Sequence, residues 1–184
     1  MVLSDIEAVL SDLRSNEENL RAVTDGLSDS ELTWQPNNGA AWSILQCAEH
    51  LALTNRAYTT AMSKIVNNPA KLKPRSAPIR PSRFGAVFLK RIEPPVKSKL
   101  RAPAIIVPPG SKNKTQVLDD FHHSHDQIRG VISTASAYDL NALLFRNPFI
   151  PLVRVRVGTG LLILAGHERR HLWQAWQVRA ELAK

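Results

Sequence analysis

The sequence predicts an all-α fold, a four-helix bundle formed by a single domain. Four long segments place apolar residues at helical spacing, and no segment alternates apolar and polar residues over the length of an ordinary strand. The 184 residues are enough to bury one sizeable core, so we expect one domain over residues 1–184. Cys47 is the one cysteine, which excludes an internal disulfide.

The first predicted helix covers about residues 3–26. Its apolar residues recur at spacings of three and four, which places them on one face. That face contains Ile6, Val9, Leu10, Leu13, Leu20 and Val23. Gly26 ends the helix.

The second predicted helix covers about residues 43–67. Ser43 and Gln46 have the spacing of a capping box, in which each side chain accepts a hydrogen bond from the other residue's backbone amide. Pro69 closes the helix, because proline cannot continue the hydrogen-bond ladder.

A basic, proline-rich insertion separates helices two and three. Between Asn68 and Lys114 the sequence contains twelve Lys or Arg, nine of the twelve prolines, and Glu93 as the only acidic residue. The segment therefore carries a net charge of +11, and the remainder carries −3, since the whole chain carries +8. The charge excess belongs to one inserted segment of an otherwise mildly acidic domain.

The insertion is expected to dock on the bundle, because 47 residues with few large apolar side chains cannot fold alone. Its apolar pieces are a short amphipathic helix over residues 84–92 and the run 104–107. The apolar side of the short helix contains Phe84, Val87, Phe88 and Ile92. We expect a cover that borders the mouth of the functional site and favours anionic substrates. No nucleic-acid-binding motif accompanies the basic residues, although the short helix could alternatively lie on a membrane surface.

The C-terminal part predicts the remaining two helices. Thr115 is a suitable N-cap for helix three, which ends at about residue 135. A proline-containing loop follows, and alternating valines over residues 153–157 indicate a brief extended piece. Thr159 is expected to cap the last helix, which runs to Leu182.

The last helix carries the most informative motif, His167-Glu168-Arg169-Arg170-His171. Histidines four residues apart lie on one face of a helix, where two imidazoles can bind the same divalent metal. The string matches the H-E-x-x-H motif of zinc proteases. Such proteases take a third ligand downstream, whereas no histidine follows His171. A protease is therefore not expected, and a third ligand must come from upstream.

His50 is the candidate third ligand. It is the only histidine of helix two and shares one stripe of that helix with Cys47. Helix bundles build metal sites from inward side chains on facing helices. His50, His167 and His171 would give three neutral nitrogen ligands and at least one open position, as in catalytic zinc sites. A three-histidine site accepts zinc, nickel, iron or manganese.

Three segments resemble the DinB-like superfamily. Residues 42–51 (WSILQCAEHL) are similar to its second-helix motif, and residues 166–174 (GHERRHLWQ) to its fourth-helix motif. Residues 27–36 (LSDSELTWQP) are similar to the linker between its first two helices. The resemblance implies an up-down-down-up four-helix bundle with a three-histidine metal site, whose ligands fall on His50, His167 and His171. Members of the superfamily include thiol S-transferases that depend on bacillithiol or mycothiol, and proteins of no assigned activity.

Three further residues each allow more than one interpretation. Glu168 could be a general base, but a structural role is favoured because it points about 100° away from His167 on the helix. His125 falls within the apolar face of helix three. It could orient a substrate, support the metal site from outside the ligand set, act as a fourth ligand, or be a core histidine bonded to a carbonyl. Cys47 could be a ligand or a redox-sensitive thiol, although free cysteine is usually a small buried hydrophobe.

These features together indicate a divalent-metal-dependent enzyme, a thiol S-transferase or a hydrolase. Its substrate would be a small molecule, for example a low-molecular-weight thiol, whose pKa the metal lowers. The alternative is a non-catalytic metal-binding stress or interaction protein. No signal-peptide pattern or membrane-span-length apolar run is present, which favours a cytoplasmic protein. Trp173 and Trp176 could cover the core edge or form the face of a homodimer.

Overall fold

The computed structural model describes residues 4–68, 72–96 and 100–182. Most of these residues are helical, and two short strands form a hairpin. The elements in chain order are α1 (Ser4–Thr24), α2 (Asp29–Thr33), α3 (Ile44–Val66), α4 (Arg83–Ile92), α5 (Lys114–Ala135), β1 (Leu144–Arg146), β2 (Arg154–Arg156) and α6 (Val157–Leu182). The long helices α1, α3, α5 and α6 confirm the predicted all-α fold.

Two buried apolar clusters define how the long helices run. One cluster combines the N-terminal halves of α1 and α6 with the C-terminal halves of α3 and α5. Representative members are Leu13, Met62, Ile128 and Leu161. The other cluster joins the opposite halves of the same helices. Representative members are Leu20, Leu51, Phe121 and Leu172. Since α1 and α6 run in one direction and α3 and α5 in the other, the bundle has the up-down-down-up topology.

Capping boxes begin two of the long helices. In α3, the Gln46 amide donates to Ser43 Oγ at 3.1 Å and the Ser43 amide donates to Gln46 Oε1 at 3.0 Å, as predicted. The predicted N-cap of α5, Thr115, is wrong, because Asn113 occupies that position and forms a capping box with Gln116. Asparagine accepts at an N-cap at least as well as threonine, and the glutamine three residues later completes the box.

The last helix also begins earlier than predicted. Thr159 lies inside α6, which starts at Val157 directly after β2. The amides of Val157 and Gly158 donate to the carbonyls of Leu143 and Leu140 at 2.9 and 3.0 Å. Because these backbone contacts satisfy the first donors of the helix, a side-chain cap is not needed. The extended piece predicted around residue 155 is confirmed by β2, whereas its antiparallel partner β1 was not predicted.

The apolar side predicted for α4 contacts the bundle only in part. Ile92 is buried, whereas Phe84 and Val87 are 71% and 69% exposed. The first turn of α4 approaches α6 through Gly85 instead, where an added Cβ would lie 2.5 Å from Thr159 Cγ2. The close approach of a glycine therefore turns the neighbouring phenylalanine towards solvent.

The second apolar piece of the insertion forms a short 3-10 helix over Ala104–Ile106. Ile106 is buried, while Ile105 is 77% exposed. Pro69, the predicted end of helix two, lies outside the described residues. No helix in the described ranges combines the length and apolar character that crossing a bilayer requires.

Candidate metal centre

The three histidines selected from the sequence converge between α3 and α6. His167 and His171 lie one turn apart on α6, and His50 faces them from α3. Each histidine offers one ligand nitrogen that lies within 4.8 Å of the other two. The Nε2 atoms of His50 and His167 are 3.2 Å apart. Their helical positions therefore bring three imidazoles to one point.

Burial keeps these imidazoles neutral near pH 7. Desolvation lowers the pKa of His50 from its usual 6.5. Desolvation, followed by the charges of neighbouring rings and of Arg170, lowers the pKa of His167 and His171 well below 6.5. Metals bind the unprotonated ring nitrogen, so the site is prepared to accept a cation without first releasing protons.

Two of the three rings are oriented by hydrogen bonds at Nδ1. His50 Nδ1 donates to the carbonyl oxygen of Ile106 at 2.7 Å. His171 Nδ1 donates to Gln174 Oε1 at 3.0 Å. A neutral imidazole carries one N–H, so these bonds leave a lone pair on Nε2 of both rings. Partners of this kind fix the orientation of metal ligands and raise their basicity.

The separation between two of the three nitrogens suits a tetrahedral metal. Two imidazole nitrogens bound to one Zn²⁺ lie about 3.3 Å apart, given Zn–N distances near 2.05 Å and a tetrahedral angle. The observed separation between Nε2 of His50 and of His167 is 3.2 Å. Nδ1 of His167 is buried and has no hydrogen-bond partner among the described residues. Ligand type, protonation state and spacing all fit a divalent metal.

An indole and a guanidinium border the histidines. The Trp42 ring centroid lies 4.7 Å from that of His50 and 5.7 Å from that of His171. Arg170 is buried, and burial followed by the charge of Arg91 lowers its pKa. Arg91 belongs to the last turn of α4. Arg170 of α6 therefore places positive potential on His167 and His171, and Arg91 of the insertion lies near Arg170.

The insertion contacts the surroundings of the histidines at two points. The first is the Ile106 carbonyl that holds His50. The second is Glu93, immediately after α4, which accepts from Arg169 Nε at 3.0 Å. Gly166 permits this approach, because a Cβ there would lie 2.9 Å from Glu93 Oε1.

A buried polar layer lies between the two apolar clusters. All four long helices contribute to it. Its members are Asn16, Asn55, Ser124, His125 and Glu168. Glu168 Oε2 accepts from Asn16 Nδ2 at 2.8 Å, and its Oε1 accepts from Asn55 Nδ2 at 2.8 Å and from His125 Nε2 at 2.9 Å. The residue next to His167 is thus held by α1, α3 and α5, which fixes the position of α6 in the bundle.

His125 and Cys47 lie apart from the three converging histidine nitrogens. His125 is fully buried, its Nε2 binds Glu168, and its Nδ1 lies 3.0 Å from Glu17 Oε1. Its connection to the histidines therefore runs through Glu168. Cys47 belongs to the second apolar cluster, where burial raises the pKa of its thiol to about 12.

Sequence reasoning missed the residues that support the three histidines. Ile106 acts through its backbone carbonyl, which a side-chain pattern does not reveal. Gln174 stands three residues after His171, a spacing that could have indicated contact on one helix face. Asn16 is a polar residue within the apolar stripe of α1, and that interruption was the available signal for the polar layer.

Comparison with known proteins identifies the family. Neither the curated proteins nor the solved structures give a match. The model of the DinB superfamily matches residues 12–175, which include the three histidines and parts of all four long helices. Because this match covers most of the chain and agrees with the bundle described above, the protein belongs to the DinB superfamily.

Proposed function

We propose that His50, His167 and His171 bind one divalent metal ion, and that the protein is a metal-dependent thiol S-transferase or hydrolase. The proposal is supported above all by the convergence of three neutral imidazoles with ligand nitrogens within 4.8 Å. Three protein ligands leave at least one metal position for substrate or water, as catalytic zinc sites do. Zinc, nickel, iron or manganese would suit these ligands.

The bound metal would supply Lewis acidity that lowers the pKa of a thiol or a water at the open position. The chain's own residues hold the ligands: Ile106 and Gln174 orient two rings, and Glu168 anchors α6. A low-molecular-weight thiol suits the site better than Cys47, whose buried thiol has its pKa raised to about 12. A cytoplasmic location belongs to this proposal, because such thiols are common nucleophiles of the cytosol.

His125 fits a positioning role better than contact with substrate. Its Nε2 holds the Glu168 carboxylate, next to the ligand His167. We expect His125→Ala to weaken metal affinity by less than the roughly tenfold that loss of a ligand's direct partner causes, because His125 reaches His167 only through Glu168. The KM of the metal-saturated variant should be unchanged, whereas a raised KM would favour contact with substrate.

The substrate is expected to be anionic. Arg170 borders the histidines, and Arg91 of the insertion lies close enough to disfavour the charge of Arg170. Charge reversal by Arg91→Glu should raise KM for a thiol that carries carboxylates, and high salt should shrink the effect. Arg14→Glu, an exposed residue of α1, is the matched control. An unchanged KM for Arg91→Glu at low salt would contradict an insertion that covers the site.

Turnover is the test of the proposed reaction. The protein loaded separately with each of the four metals is incubated with a panel of thiols and electrophiles and with hydrolysable esters, and products are detected by mass. The wild type should turn over at least one pair, as should a variant of the exposed histidine His123, while His50→Ala should not. Stoichiometric metal without turnover would instead favour a non-catalytic metal-binding stress or interaction protein.

A further inference from the structure

The loop between β1 and β2 presents an aliphatic tip to solvent. Ile150 is 50% exposed and Leu152 is fully exposed. Leu152 has φ of 67°, a left-handed conformation that favours glycine and is unfavourable for other residues. Pro148 and Pro151 restrict the loop backbone on either side of Ile150. The structure thus holds two aliphatic side chains in water, and one of them adopts an unfavourable conformation without gaining any packing.

Three arginines lie on the outer face of the same hairpin. The strand register pairs Leu144 with Arg156 and Arg146 with Arg154. Side chains alternate along a strand, and the intervening Phe145 is fully buried, so these four residues share the opposite face. Within the described ranges, no acidic side chain lies at ion-pair distance from the three arginines. Residues 140–167 contain these three arginines and no Asp or Glu.

We propose that this hairpin face docks the protein on an anionic lipid bilayer. The aliphatic tip, Ile150 and Leu152, would enter the interfacial region, where apolar side chains gain by leaving water. Arg146, Arg154 and Arg156 would bind the lipid phosphates, which guanidinium groups match in geometry and charge. A negatively charged leaflet also attracts nearby cations.

A bilayer fits this face better than nucleic acid does. Arginines bind phosphates in both cases, but sequence-independent nucleic-acid sites add aromatic side chains on which bases stack. The hairpin tip instead presents the aliphatic side chains Ile150 and Leu152. The docking role does not depend on the proposed metal chemistry. The hairpin adjoins Val157, the first residue of α6, whereas His167 lies ten residues, about 15 Å, further along that helix.

Co-sedimentation with vesicles of phosphatidylcholine, with and without phosphatidylserine, tests the proposal. The wild type should bind only the vesicles that contain phosphatidylserine, and less strongly at high salt. Arg146→Glu/Arg154→Glu should lower the partition coefficient by at least about tenfold. Arg14→Glu/Arg21→Glu changes net charge equally at exposed sites of α1 and should have a clearly smaller effect.

The aliphatic contribution is tested separately. Leu152→Ser should lower binding several-fold, whereas Ile105→Ser, which alters another exposed aliphatic residue, should not. Thermal unfolding confirms that each variant is folded, and Arg→Gln replacements are used if the glutamate pair fails to fold. The proposal is overturned by absence of phosphatidylserine-dependent binding, or by equal losses in both arginine pairs. It is also overturned if short duplex DNA binds where vesicles do not, or if the only effect of Leu152→Ser is to abolish self-association.

Discussion

The carboxylate of Glu168 gives the sharpest prediction about stability. It is fully buried and accepts hydrogen bonds from Asn16, Asn55 and His125. Truncation would remove the acceptor of one N–H on each of these three side chains, although Asn16 Nδ2 would keep the Ala165 carbonyl and Asn55 Nδ2 would keep Ser124 Oγ. A hydrogen bond to a charged group contributes about 1.5–3 kcal/mol, but bonds that share one acceptor do not add. A buried donor that loses its acceptor costs about 1–3 kcal/mol, so with three such N–H groups and incomplete additivity we expect Glu168→Ala to lower the free energy of unfolding by about 3–5 kcal/mol.

Two further variants distinguish the stability lost with this hydrogen-bond network from the stability lost when any glutamate of α6 is removed. Glu168→Gln keeps the shape of the side chain but directs its amide N–H₂ at one or more of the three donors. It should lower the free energy of unfolding by about 1–3 kcal/mol. Glu181→Ala removes an exposed carboxylate from the same helix and should change stability by about 0.5 kcal/mol or less.

Urea unfolding of chelator-treated protein, followed by circular dichroism, measures these differences without the added free energy of metal binding. The order of stability should be Glu181→Ala, then Glu168→Gln, then Glu168→Ala. A loss below about 1 kcal/mol for Glu168→Ala would refute the reasoning, because it would mean that the three donors find other partners or water.

Three other expectations follow from the same structure. Gln174→Ala should weaken metal affinity about 10–100-fold in chelator competition, because His171 loses its Nδ1 partner; an unchanged affinity would count against this support. Metal-free protein should lose stability as pH falls below 6.5. The pKa values of His50, His167 and His171 are lower in the folded chain than in the unfolded chain, so the unfolded chain binds protons that the folded chain does not. A free energy of unfolding that does not change between about pH 6.5 and 5 would contradict this. Gly160→Ala should lower the free energy of unfolding in urea by about 1–3 kcal/mol, because its Cβ would lie 2.8 Å from the ring of Phe145 and 2.5 Å from Met62 Cε. Gly130→Ala meets open space and should be neutral or stabilising; equal stabilities of the two variants would argue against this packing.

The bundle and the histidine cluster could be predicted because both depend on periodic side-chain patterns. Apolar spacing located α1, α3, α5 and α6 to within a few residues. His167 and His171 are neighbours on one helix by virtue of their spacing alone. His50 was identifiable because it is the only histidine of α3.

Features that depend on distant backbone atoms could not be predicted in this way. The start of α6 is set by the carbonyls of Leu140 and Leu143, and the orientation of His50 by the carbonyl of Ile106. The exposure of Phe84 follows from the close approach of Gly85 to α6. These contacts join segments far apart in sequence, and the backbone atoms that make them are the same in almost every residue type.

The metal content of the purified protein tests the central claim most directly. Elemental analysis compares the wild type with His50→Ala, His167→Ala and His171→Ala, and with His123→Ala as an exposed-histidine control. We predict one divalent metal per chain in the wild type and the control, and a loss of stoichiometric metal in each of the three variants. Full metal content in His50→Ala would contradict a site shared by α3 and α6.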